Sequence, residues 1–265
     1  GRFFHTTQLG LYERAFNLLA MPVNALTSSF QAVLFAACSR HQEKTVAIRL
    51  TYVGASITIG LLVFPPFFAI VAIPETVLIG IYGEQWMSAV PLVTPLALAM
   101  PIHALLAMCG PVLTALGFAK KELVAQIFVL TIITIMLILA AGTENIEIVT
   151  WSVFIAYLLR FFFLMYPVCQ VLNMNILMFF YLLLTPVFMA SILAFGVWIV
   201  DWQFGSIDMG IVSRLFANIF VGGIFYIALM MLMRPLIVRG VMREALQAVG
   251  PQLPRAVRTW ARIDL

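Results

Sequence analysis

The sequence predicts an all-α fold: a polytopic membrane helical bundle of about seven transmembrane helices. Three observations carry that prediction. Hydrophobic residues make up 63% of the chain and charged ones 10%, whereas a soluble domain is nearer half apolar and a quarter charged. Seven apolar stretches, most of them long enough to cross a bilayer, follow one another between Met21 and Met233. The gaps between them sort charge. Arg40, Lys44 and Arg49 fill the first gap, Lys120 and Lys121 the third, and Arg234, Arg239, Arg243, Arg255, Arg258 and Arg262 the tail. The second, fourth and sixth gaps hold Glu75, Glu84, Glu144, Glu147, Asp201 and Asp208, with no Lys or Arg. That is the positive-inside pattern of a bacterial inner-membrane protein with its C-terminus in the cytoplasm.

Span one, residues 18–38, is the most polar. Asn24, Ser28 and Gln31 fall on one helical face, which looks toward other helices or a wet cavity rather than lipid. Span two, 52–73, contains Pro65-Pro66 and should kink there. In the gap that follows, Tyr82 and Trp86 suit the interfacial belt. Span three, 90–116, carries Pro91, Pro95, Pro101 and Pro111, a density that membrane helices tolerate because neighbours satisfy the freed carbonyls. Phe118 to Glu122 reads as a short basic turn. Span four, 123–141, is uniformly apolar and should face lipid.

Span five, 151–172, carries Arg160 about ten residues in, so roughly 15 Å from its outer end. A guanidinium at that depth costs at least about 2.5 kcal/mol and must face protein, water or an anion. Asn173-Met174-Asn175 is a minimal turn and the one neutral gap on the inner side. Span six, 176–200, contains Pro186, and span seven, 210–233, has Arg214 one turn in. The chain thus divides into 1–20, the outer end of an interrupted span with a loop; 21–233, the helical lobe; and 234–265, a cytoplasmic basic amphipathic tail. Such a tail suits anionic head groups of the inner leaflet. An odd span count with the tail inside places the first residues outside, so the expectation is a fragment preceded by further spans.

Chemistry motifs are thin. His5, His41 and His103 are scattered, and no HExxH, GxSxG or Walker A pattern appears. No enzyme activity, metal or cofactor is expected. Cys38, Cys109 and Cys169 lie in apolar runs without ligand spacing and read as packing residues. The net charge of +4 clusters at span ends, which points to lipid head groups and away from nucleic acid. The candidate binding residues are Arg160, Arg214, Arg14, Asn24, Ser28 and Gln31. Arginine's planar fork suits phosphate oxygens. For Arg160, anion binding and structural pairing both remain open, and for Arg214 the structural role is favoured. No acidic residue is expected deep in the seven spans.

Several stretches resemble a known family. Gly1-Arg2-Phe3, followed by Leu9-Gly10-Leu11-Tyr12-Glu13-Arg14-Ala15 and Pro22, is similar to the "IGR…LGxYxRA…P" stretch of polysaccharide transporters. Leu34 to Arg40 resembles their "LFPALSR" helix end, with Ala36 in place of the proline. Pro66-Phe67 resembles their second-span "FP", and Gly83-Glu84-Gln85-Trp86 with Ala89-Val90-Pro91-Leu92 their "GEQW…AVPLL". These are the Wzx-like oligosaccharide flippases of the multidrug/oligosaccharidyl-lipid/polysaccharide (MOP) superfamily. The resemblance covers about residues 1–123; beyond that, only span count and topology agree. It implies one lobe of a two-lobe transporter, the C-terminal half, with the N-terminal lobe missing. It also implies a lipid-linked oligosaccharide as substrate, moved between leaflets by alternating access, with cavity arginines on the pyrophosphate. A drug or small-cation exporter of the same superfamily, or a non-transporting scaffold of a polysaccharide assembly complex, are the alternatives.

Overall fold

The computed structural model describes residues 6–40, 45–141, 145–207 and 209–239. These form α1 (Thr6–Arg40), α2 (Thr45–Ala72), α3 (Pro74–Tyr82), a 3₁₀ turn (Glu84–Ala89), α4 (Val90–Ala115), α5 (Ala119–Ala141), α6 (Ile146–Val171), α7 (Ile176–Ser206) and α8 (Ile211–Arg239). No strand occurs among the described residues. Seven helices are long and apolar enough to cross a membrane, in the order expected. The fold is an all-helical, multi-pass membrane bundle. One end carries Arg40, Arg49, Lys120 and Lys121, and the other Glu75, Glu84, Glu147 and Asp201.

Several boundaries differ from the sequence expectation. Helix α1 starts at Thr6, so the stretch read as a loop before residue 18 is helical. Ala15, Leu19 and Val23 recur every fourth residue and are fully buried, a stripe that packing on neighbours stabilises. The gap after α2 contains α3, begun by Pro74 at the first helical position and ended by Gly83 at φ +89°. Proline loses nothing at a helix start, and glycine accepts the left-handed exit without a Cβ penalty. Helix α7 runs past residue 200, so Asp201 is helical. Helix α8 continues through residues 234–239, which were read as the start of the tail. The rest of the tail and Gly1-Arg2-Phe3 lie outside the described residues.

Proline-rich α4 is the most buried of the crossing helices, and α5 is the least. Helices α1, α2 and α6 pack on α4; α7 packs on α2, α8 on α7, and α5 on α6. Small residues let α4 be approached closely: Ala97, Ala99, Ala104 and Cys109 are all fully buried. Most exposed side chains of α5, such as Leu130, Ile138 and Leu139, are apolar and suit lipid, and the exposed Thr131 and Thr134 bond carbonyls of their own helix.

Two prolines find their remedy on other helices. A proline at position i cannot bond the carbonyl at i−4. Pro65 therefore frees the Leu61 carbonyl, and Tyr226 Oη of α8 donates to it at 2.5 Å. Pro111 frees the Ala107 carbonyl, and Gln31 Nε2 of α1 donates to that at 3.1 Å. The neutral turn at 173–175 is served similarly: Arg49 Nη1 of α2 donates to the Asn173 carbonyl at 3.0 Å.

Candidate functional site

Helices α1 and α6 both pack on α4 but hardly touch each other. They leave a groove floored by α4. His103, Ala107 and Gly110 on that floor are half-buried, and Thr114 is exposed. Polar groups line the groove in sequence. His103 Nε2–H donates to Asn24 Oδ1 of α1 at 3.2 Å. The His103 ring meets Tyr157 of α6 edge to face, with centroids 5.3 Å apart. Arg160 lies one turn beyond Tyr157 and donates through Nη2 to Glu122 Oε1 of α5 at 3.1 Å. Arg160 and Glu122 are 18% and 20% exposed. Gln126 Nε2 donates to the same Oε1 at 3.1 Å.

Helix α6 begins at Ile146, earlier than its hydropathy suggested. Arg160 therefore lies roughly 21 Å along it at 1.5 Å per residue. Two acids near span ends are less exposed than the sequence suggested. Glu122, read as part of a basic surface turn, folds back onto Arg160. Asp201, read as a gap residue, is 13% exposed inside α7 and bonds Arg214 Nη2 at 2.6 Å through Oδ2. The same physical reason explains both: a nearby guanidinium makes partial burial of a carboxylate affordable.

The Asp201 cluster is a separate feature. Thr76 Oγ1 of α3 and Asn218 Nδ2 of α8 donate to Asp201 Oδ1 at 2.9 and 2.7 Å. One carboxylate thereby ties α3, α7 and α8 together at the acidic end. A cleft of about 440 Å³ adjoins it, lined by Glu75, Trp198, Trp202 and Arg214 among others.

Of the six residues singled out from the sequence, Asn24 and Gln31 bond groups of α4, and Arg160, on the neighbouring α6, bonds Glu122 of α5. Gln31 is committed to the Ala107 carbonyl. Ser28 is exposed on α1 and donates to the Ala25 carbonyl of its own helix. Arg14 is exposed near the acidic end, its guanidinium 6.0 Å over the Trp86 ring. Arg214 stands apart in the Asp201 cluster. Sequence reasoning passed over His103, Tyr157 and Glu122. The available signal was an imidazole inside an apolar span, where a polar group calls for a partner. The three cysteines are buried and free. Among the described residues, no group of His, Cys, Asp and Glu is placed to hold a metal.

Comparison with known proteins bears on this arrangement. Residues 1–91 match a family described as polysaccharide biosynthesis protein. That match covers about a third of the chain, and over it the chain is similar to the family. It is similar to the teichuronic acid biosynthesis protein TuaB of Bacillus subtilis (strain 168), 24% identical over 233 residues. The similarity covers 87% of this chain and 48% of TuaB, so the chain spans about half the length of that curated relative. No solved structure matches. The family region takes in α1, α2, α3 and the opening of α4, and so includes the Asn24 wall of the groove but not Arg160.

Proposed function

We propose that this chain is the C-terminal half of a bacterial inner-membrane transporter, not an enzyme. It would flip undecaprenyl-pyrophosphate-linked oligosaccharide to the outer leaflet for surface polysaccharide synthesis, by alternating access. The observation that carries the reading is the exposed face of α1. Glu13, Asn17, Asn24, Ser28 and Ser29 are all exposed there, beside apolar Met21 and Val33, whereas α5 exposes no carboxylate or asparagine and mostly apolar side chains. Charged and amide side chains on a spanning helix face a wet cavity or another protein surface, not hydrocarbon. That face adjoins the groove that ends at Arg160. A second helical lobe set against α1 would enclose a water-filled passage. The glycan would sit among polar groups such as Asn24, His103 and Tyr157, and the pyrophosphate would reach Arg160, whose fork matches phosphate oxygens.

The similarity of residues 1–91 to that family supports a polysaccharide role. The ion pairs favour an anionic substrate over a small cation, since both buried carboxylates already hold arginines. Arg214 is the weaker ligand candidate because Asp201 engages it through both side chain and carbonyl. The C-terminus would be cytoplasmic, with the basic tail against anionic lipids.

The test is deletion of the gene, followed by leaflet assignment of the lipid-linked glycan. Spheroplasts are treated with a membrane-impermeant glycosidase, and the protected fraction is measured. Protection of nearly all the glycan is expected in the deletion, with release on complementation. Unchanged accessibility in the deletion would sink the flippase reading.

A further inference from the structure

We infer that Glu122 is a built-in stand-in for the substrate's phosphate: it occupies Arg160 in the empty groove and is displaced when the pyrophosphate arrives. This rests on the transport reading above and adds the regulation of its anion site.

The pairing geometry is the starting point. An arginine and a carboxylate that serve only to hold helices together gain most from two parallel hydrogen bonds. Here the contact is a single one, Nη2 to Oε1. Arg160 Nε and Glu122 Oε2 are buried and lack a hydrogen-bond partner among the described residues. Half of each fork is therefore unused, although a buried unpartnered polar atom is costly. The carboxylate is also shared, since Gln126 donates to the oxygen that Arg160 uses. When Arg160 leaves, Gln126 still stabilises the carboxylate.

The location fits exchange. Both side chains keep about a fifth of their surface open, so an entering anion can reach the guanidinium. Glu122 is the fourth residue of α5, the least buried crossing helix. A small movement of its first turn can withdraw the carboxylate without disturbing the α4 core. A pyrophosphate brings more charge and more acceptor oxygens than one carboxylate. It can use the idle Nε and Nη2 together, which Glu122 does not. The empty site keeps its arginine neutralised, so ground-state cost falls, and substrate release is helped by a carboxylate returning to its partner.

The experiment uses the protein purified in detergent from its own gene, with farnesyl pyrophosphate as the probe and farnesol as the uncharged control. Affinity is compared for the wild type, Glu122→Gln, Arg160→Gln and the double variant. Glu122→Gln is expected to bind the pyrophosphate about tenfold more tightly, the scale of one charge-assisted bond released from competition. The gain is expected to vanish in the double variant, and farnesol binding is expected to stay constant. If Glu122→Gln does not accumulate, Glu122→Asp gives a smaller gain in the same direction. Equal affinity of wild type and Glu122→Gln, or a gain that survives Arg160→Gln, would overturn the exchange while leaving the flippase reading standing. No pyrophosphate-dependent binding by any of the proteins would overturn both.

Discussion

Replacing Tyr226 by Phe removes one hydroxyl and nothing else, and its cost should depend on a residue in another helix. In the native bundle, Tyr226 Oη caps the Leu61 carbonyl that Pro65 leaves without a helical donor. Interhelical hydrogen bonds in membranes are worth about 0.6 kcal/mol on average and up to about 1.7. This one should lie in the upper half of that range. Its acceptor has no i+4 amide to fall back on. The adjacent cavity of about 390 Å³, lined by Pro65, Pro66 and Tyr226 among others, has an almost wholly apolar wall, so water is a poor substitute. We expect Tyr226→Phe to cost about 1–2 kcal/mol. Pro65→Ala restores an amide that can donate to Leu61. In that background Tyr226→Phe should cost about 0.5 kcal/mol or less, giving a coupling near 1 kcal/mol, well above the roughly 0.3–0.5 kcal/mol scatter of independent sites. The assay is reversible unfolding in mixed micelles on all four proteins of the cycle. Additive costs would refute the idea that Tyr226 repairs the proline break.

Other perturbations test the remaining features. Asp201→Ala leaves Arg214, Thr76 and Asn218 without their shared acceptor, and should cost about 3 kcal/mol, read as a lowered unfolding midpoint. Gly80→Ala places a Cβ at 2.8 Å from Leu215 Cδ2; about 1–3 kcal/mol of overpacking is expected between α3 and α8, and an unchanged midpoint would refute that contact. In a background lacking Cys38, Cys109 and Cys169, a cysteine placed by Ser28→Cys should react with a membrane-impermeant maleimide, and one placed by Ile138→Cys should not. Equal labelling would remove the wet face from α1.

The bundle was largely legible because hydropathy and charge act at the scale of a whole helix. Seven helices long enough to cross follow from apolar length, and α5, the blandest of them, is also the least buried. What escaped was decided by partners distant in sequence. Hydropathy could not place Asp201 inside a helix, because its burial is stabilised by Arg214 and Asn218 from α8 and Thr76 from α3. Glu122 looked like a surface residue beside Lys120 and Lys121, and only the approach of α6 supplies Arg160. The polar face of α1 was readable as a face. That Gln31 would serve Pro111, while Ser28 stays exposed, depended on where α4 docks.

The two proline repairs also differ in when they become possible during synthesis. Gln31 precedes the carbonyl it serves by 76 residues, so its amide is already in place when α4 emerges. Leu61 must wait for Tyr226, 165 residues later. At bacterial translation rates of about 5–20 residues per second, that is on the order of 10–30 s with an uncapped carbonyl inside the membrane. The nascent bundle carries this defect until its last described helix arrives. Chains that stop short of α8 are expected to keep that carbonyl uncapped and to unfold more readily.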